Sequence, residues 1–247
     1  MILSLFKRWR GAGPTVAETE WQEAESGLPF LAHLAPDEQL LLRSMALQLI
    51  IEKEWHGAQG LVLGKAIQLS IALQACLPVL KLGLDWYQGW LGIIVYPGDF
   101  VIPRQIIDDD GIVHEYDDTV LGEAWEGGPV LLSWFDEGDD ADGINVVIHE
   151  FAHKLDMRNG QPDGLPPLHP GMSRCAWIDA FTPALENFRF RVDGHENTLL
   201  DPYGAESPAE FFAVMSEAFF ETPDLLHQQY PEVYGQLRLF YRQEPRD

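Results

Sequence analysis

The segment Ile144–Asp156, INVVIHEFAHKLD, constrains the chain more than any other, because it sets His-Glu-x-x-His in apolar surroundings. On a helix, positions i and i+4 share one face, about 6 Å apart at Cβ. His149 and His153 can therefore aim two imidazoles at one ion. Glu150 stands one residue past the first histidine, placed to reach a water on that ion. Neutral imidazoles plus an open coordination position are how a catalytic zinc is held. Val147, Ile148, Phe151 and Leu155 form an apolar ridge behind the histidines, and Arg158-Asn159-Gly160 gives a basic last turn and a glycine stop. The competing reading is a helix with two ordinary histidines.

Two imidazoles leave such an ion short of a third protein ligand. The apolar stretch Pro208–Glu221 carries two buried-carboxylate candidates, Glu210 and Glu217. A carboxylate on so apolar a helix is costly to bury without a positive partner. Being seven residues apart, the two stand about 10 Å apart along the axis, so one zinc cannot take both. Ser207-Pro208-Ala209-Glu210 also fits a capping box, with Ser207 as cap and Glu210 reaching back. The pattern alone leaves Glu210 open between cap and ligand, with Glu217 as second choice.

With 39 acidic against 16 basic side chains, the formal charge of −23 disfavours nonspecific binding to nucleic acid or anionic membranes. Cys76 and Cys175 make no disulfide framework. The N-terminal tip places its apolar residues before its charges, the reverse of a secretory signal. The most apolar run, 67–84, is broken by Gln68, Ser70, Gln74, Pro78 and Lys81, which marks a buried helix and not a membrane span. A cytoplasmic protein is expected.

Periodicity predicts helices from Pro36, over Lys65–Leu77, over Trp177–Phe190 despite Pro183, over Pro208–Glu221 and over Pro231–Arg242. Strands are predicted at Leu91–Tyr96 and Pro129–Phe135, with a hairpin of 111–116 and 119–125 turning at Asp117-Asp118. The order of helices, strands and helices gives an α+β fold, mainly helical, with a small mixed sheet packed against the His149 helix in the manner of a zincin. The expected organisation is a loose N-terminal segment 1–20, a helical N-terminal lobe 21–90 and a metallopeptidase region 91–247, packed as one unit. The strand Leu131–Phe135 is a candidate edge strand for pairing with a substrate backbone, with an interior strand over Val130–Trp134 as the equal alternative. Asp156 is a candidate to hold a ligand histidine. The acidic loop 136–143 is a candidate complement to the dipole of the metal helix. His33, His56, His114, His169 and His227 show no ligand spacing, and His195 is read as a loop residue, with a role beside the site as the alternative.

The segment 148–156, together with Tyr203-Gly204-Ala205 and Pro208–Val214, resembles the Mlc titration factor A family, zinc peptidases of bacteria. The resemblance extends through 71–78, 82–87 and Val95-Tyr96-Pro97, and so covers about residues 20–240. The site is also similar to the catalytic domain of anthrax lethal factor, where a tyrosine likewise stands seven residues before a glutamate ligand. The resemblance implies His149, His153 and Glu210 as ligands of one Zn2+, Glu150 as catalytic base and Tyr203 as a transition-state helper. It implies aminopeptidase-like hydrolysis of peptides. It also implies binding of the Mlc repressor, and through it an effect on glucose-uptake genes, with a non-catalytic repressor-sequestering protein as the alternative.

Overall fold

The computed structural model describes residues 15–107, 113–135 and 145–246. Eight α-helices and six strands are present among them: α1 Glu18–Ser26, α2 Pro36–Glu52, β1 Glu54–Gly57, α3 Lys65–Cys76, β2 Gly92–Tyr96, β3 Phe100–Ile107, β4 Val113–Val120, β5 Gly122–Ala124, β6 Val130–Ser133, α4 Val146–Asp156, α5 Arg174–Asp193, α6 Pro208–Glu221, α7 Pro223–Gln229 and α8 Pro231–Tyr241. The fold is α+β and mainly helical, with a four-stranded mixed sheet and a separate two-stranded one.

The larger sheet has the order β1-β2-β6-β5. β1, β2 and β6 run parallel, and β5 closes the sheet antiparallel to β6. The helix carrying the histidines, α4, lies against β5 and β6 on one side and α6 on the other. Every residue from Val147 to Asp156 is buried. That placement needs apolar residues on all sides, which Val147, Ile148, Phe151, Ala152 and Leu155 supply. One continuous core runs from Trp21 to Tyr241. Its centre is aromatic: Trp177 stacks on Phe181 at 4.3 Å, and Phe240 meets Trp177, Phe212 and Trp86 edge-on. Burying each such ring contributes about 1.5–3 kcal/mol.

Lys154 fastens α4 to the sheet side, and Lys53 fastens the end of α2 to the loop before β2. Lys154 Nζ donates to the carbonyls of Trp125 and Gly128 at 2.6 and 2.8 Å. Lys53 Nζ donates to those of Tyr87 and Trp90 at 2.6 and 2.8 Å. Trp90 presents its ring to both ammonium groups, 3.7 Å from Lys53 and 4.8 Å from Lys154. Burial pulls both lysines down to about 8.

The predicted hairpin is displaced. β4 runs unbroken through Asp117 and Asp118, which pair with Pro103 and Ile102 of β3. The connection between the two strands, 108–112, lies outside the described residues. β3 escapes sequence reading because Pro103 sits inside it, which a two-stranded sheet tolerates since both strands are edges. β6 is interior, with β2 and β5 on its two sides, so the free edge beside α4 belongs to β5 and not to the strand around Leu131. β1 and α7 were not expected, and α1 begins at Glu18, within the stretch read as loose. The acidic loop 136–143 lies wholly outside the described residues, as does most of the N-terminal segment. None of the described helices is long and apolar enough to cross a membrane.

Candidate metal centre

Asn145 starts α4. Its Oδ1 accepts from the Ile148 amide at 2.9 Å, the N-cap bond a helix start requires. From that start, His149 and His153 fall on the face toward α6. Their Nε2 atoms lie 3.1 Å apart, and Glu210 Oε2 is 3.0 Å from the first and 3.2 Å from the second. The three donor atoms form a nearly equilateral triangle. A tetrahedral zinc with donors at about 2.0–2.1 Å sets them about 3.3 Å apart. These residues are the group able to hold a metal ion among the described residues.

Glu210 resolves its two readings by splitting them. Its backbone amide donates to Ser207 Oγ at 3.1 Å, so Ser207 caps α6, while the carboxylate turns to the histidines. Burial raises that carboxyl, but the hydrogen bonds from His149 and His153 outweigh it and hold Glu210 down at about 2. Burial likewise opposes a charge on His149, yet Glu217 and Glu210 outweigh it and raise His149 well above its ordinary value. Such a centre favours positive charge, which suits a cation held by two imidazoles and a carboxylate.

Glu217 lies elsewhere. Its Oε1 is 2.7 Å from His149 Nδ1, on the ring edge away from the triangle. Asp156 does not bond His153. Its Oδ2 accepts from the Gly164 amide at 2.8 Å, while Asp156 Oδ1 and His153 Nδ1 are buried without partners. Asp156 thereby pins a loop that presses on the start of α6. Gly164 has φ +78°, and a Cβ there would stand 2.4 Å from the Pro208 carbonyl oxygen.

Glu150 is 5 % exposed, and its Oε2 has no partner in the protein. Burial pushes its carboxyl up to about 7, against the pull of His149 and His153. It faces a cavity of about 500 Å³ shared with His149, His153, Glu210 and Tyr203. Tyr203 stands on a 3-10 turn, Pro202–Ala205, whose cap Asp201 accepts from the Tyr203 amide at 2.9 Å. Its ring lies 6.0 Å from that of His149. Burial and the nearby Glu210 raise its hydroxyl pKa, keeping it a donor at neutral pH.

The far wall of the cavity comes from β4 and β5, with Tyr116, Asp118 and Glu123 among its residues. Gly122 on β5 comes close to the Glu150 side chain. A Cβ there would stand 2.5 Å from Glu150 Oε1 and 2.7 Å from its Cγ. We expect Gly122→Ala to displace the Glu150 carboxylate and lower kcat by on the order of 10²-fold, the cost of a misplaced reacting group. Gly64→Ala, whose Cβ meets nothing within 4 Å, is the control. Equal kcat in the two variants would show that β5 does not set Glu150.

Sequence reasoning singled out His149, Glu150 and His153 from spacing, and the structure brings His149 and His153 together with Glu210. It had no means of finding Gly122, Asp118 or Glu206 at this cavity. Asn145 carried a visible signal, an asparagine immediately before an apolar helix.

Fold and site together define an α+β protein with a group able to hold a metal ion, built on a His-Glu-x-x-His helix. The family model described as glucose-regulated metallo-peptidase M90 matches residues 4–242. The chain is 40 % identical over 233 residues to Mlc titration factor A of Klebsiella pneumoniae (strain 342), covering 93 % of this chain and 88 % of the relative. It is 42 % identical over 232 residues to Mlc titration factor A of Yersinia pestis (strain Pestoides F), covering 92 % and 85 %. The chain belongs to the M90 metallo-peptidase family.

Proposed function

We propose that this protein is a zinc-dependent metallopeptidase acting on short peptides with a free amino terminus, with His149, His153 and Glu210 holding one Zn2+. The observation that carries the reading is the triangle of donor atoms at 3.0–3.2 Å with a buried carboxylate beside it. When bound, the ion supplies Lewis-acid polarisation of the scissile carbonyl and an acidified water. Glu150 accepts the proton of the attacking water and passes it to the leaving amine. The Tyr203 hydroxyl donates to the developing oxyanion. The free edge of β5 lies at the cavity and offers backbone groups to an extended peptide.

Preference for an amino terminus rests on the charge of the cavity. Glu150, Asp201, Glu206 and Glu210 line it, and no lysine or arginine does among the described residues. Burial raises the Glu206 carboxyl, and repulsion from Glu210, Asp118 and Asp201 raises it further. An ammonium group relieves that repulsion. Glu206→Gln is expected to raise KM for a free tripeptide about 3- to 10-fold, in line with one exposed ion pair of about 1 kcal/mol, and to leave KM for its N-acetylated form unchanged. Equal effects on both peptides would remove Glu206 from amino-terminus recognition.

The direct test is elemental analysis with a peptide-library assay. About one zinc per chain, with cleavage lost on chelation and restored by zinc, is the expected result. A protein that neither holds nor takes up zinc, and cleaves nothing, would overturn the reading.

The relatives' name, Mlc titration factor A, favours a second role, binding of the Mlc repressor. With a formal charge of −23, an effect on transcription runs through the protein partner and not through DNA. That role operates beside catalysis or, in the second reading, in its place.

A further inference from the structure

His149 is gripped at both ring nitrogens by one helix. On the Nε2 side stands Glu210, in the first turn of α6. On the Nδ1 side stands Glu217, two turns later. Glu217 is 3 % exposed, on a helix whose residues from Phe211 to Phe220 are all buried. A lone carboxylate in such surroundings costs several kcal/mol. Glu217 meets that cost with two short bonds: His149 Nδ1 at 2.7 Å and the Asn145 amide at 2.7 Å.

Those partners belong to the start of the metal helix. Asn145 caps α4 with its Oδ1 and donates through Nδ2 to Gln74 on α3 and Glu221 on α6, each at 2.8 Å. One carboxylate thus reads both the beginning of α4 and the histidine one turn further on. The other ligand histidine has no such partner, since His153 Nδ1 is buried and unbonded.

Resting on the metal site proposed above, we infer that Glu217 is a positioning residue that sets the tautomer and ring plane of His149. An Nδ1–H donated to Glu217 leaves the Nε2 lone pair facing Glu210 and His153. The negative charge behind the ring also raises the basicity of that lone pair. A carboxylate of this kind contributes about 10- to 100-fold in metal affinity. The alternative, a buried ion pair that merely ties α6 to α4, predicts a loss of stability with no change in zinc affinity below the melting temperature.

The experiment measures zinc dissociation constants by competition with a chromophoric chelator, on wild type, Glu217→Gln, Glu217→Asp and Glu217→Ala. Thermal melting of the zinc-free proteins is followed in parallel. Glu217→Gln keeps the shape but loses the charge, and faces the Asn145 amide or the imidazole with its own donors. We expect its zinc affinity to fall about 10- to 100-fold, with partial recovery in Glu217→Asp. The ¹⁵N shift of His149 Nδ1 in the zinc-loaded Glu217→Gln is expected to move toward that of an N–H bonded to a neutral acceptor. Glu217→Ala vacates the site and is used only if its melting curve shows a folded protein. Wild-type zinc affinity in folded Glu217→Gln overturns the inference and leaves the metal site standing. A wild type that binds no zinc overturns both.

Discussion

Glu210→Ala is expected to empty the metal centre. The zinc content after dialysis falls from about one per chain to a small fraction, and peptide cleavage falls on the order of 10³-fold or more, since the ion's several kcal/mol of charge stabilisation go with it. The geometry gives the reason. Among the described residues, Glu210 supplies from outside α4 the ligand atom within 3.2 Å of both histidine Nε2 atoms, and it brings the negative charge that makes a dication welcome. Two imidazoles alone bind zinc weakly, and the water that replaces a carboxylate carries no charge. Glu210→Ala leaves the Ser207 cap intact, because that bond uses the Glu210 backbone amide. The variant should therefore fold. Full zinc occupancy in Glu210→Ala would mean that another group completes the centre, and would dissolve the ligand set as proposed.

The same residue shows where sequence reading stops. His149, Glu150 and His153 are legible because the helix itself fixes their relation, four residues being one turn. Glu210 is not, because its meaning depends on how α6 approaches α4, and a capping box explains the same letters. Family resemblance selected Glu210 and Tyr203, while periodicity did not. Glu217 was weighed as a ligand, and its bond to the outer nitrogen of His149 joins residues 68 apart in the chain. No local pattern carries that. Among the elements, helices with an apolar stripe were readable, and the sheet was only partly so. β1 has four residues, Glu54-Trp-His-Gly, without clean alternation, and it becomes a strand because β2 lies beside it. β3 hides behind Pro103. The interior position of β6 follows from β5 folding back on it, which its own apolar sequence does not reveal.

Glu150→Gln separates chemistry from everything else the protein does. Gln keeps the size of the side chain and cannot accept the water's proton, so kcat is expected to fall about 10²- to 10⁴-fold, the usual contribution of a general base. Zinc content should be unchanged, because Glu150 stands outside the triangle of donors. Stability should hold or rise, since a buried carboxyl already pushed up to about 7 gives way to a neutral amide. The same shift sets the pH dependence. Only the ionised carboxylate serves as base, so kcat/KM in the wild type rises with pH and is lost as Glu150 takes up its proton. A bound dication favours the ionised form, so the midpoint of that limb lies at or below about 7. Activity that stays level down to pH 4.5, or that grows toward acid, would exclude Glu150 as the base. The variant also decides between the two readings of function. Repressor capture retained by a zinc-loaded, inactive Glu150→Gln makes sequestration independent of cleavage. Capture lost along with cleavage, at unchanged zinc content and stability, ties the partner to the cavity itself.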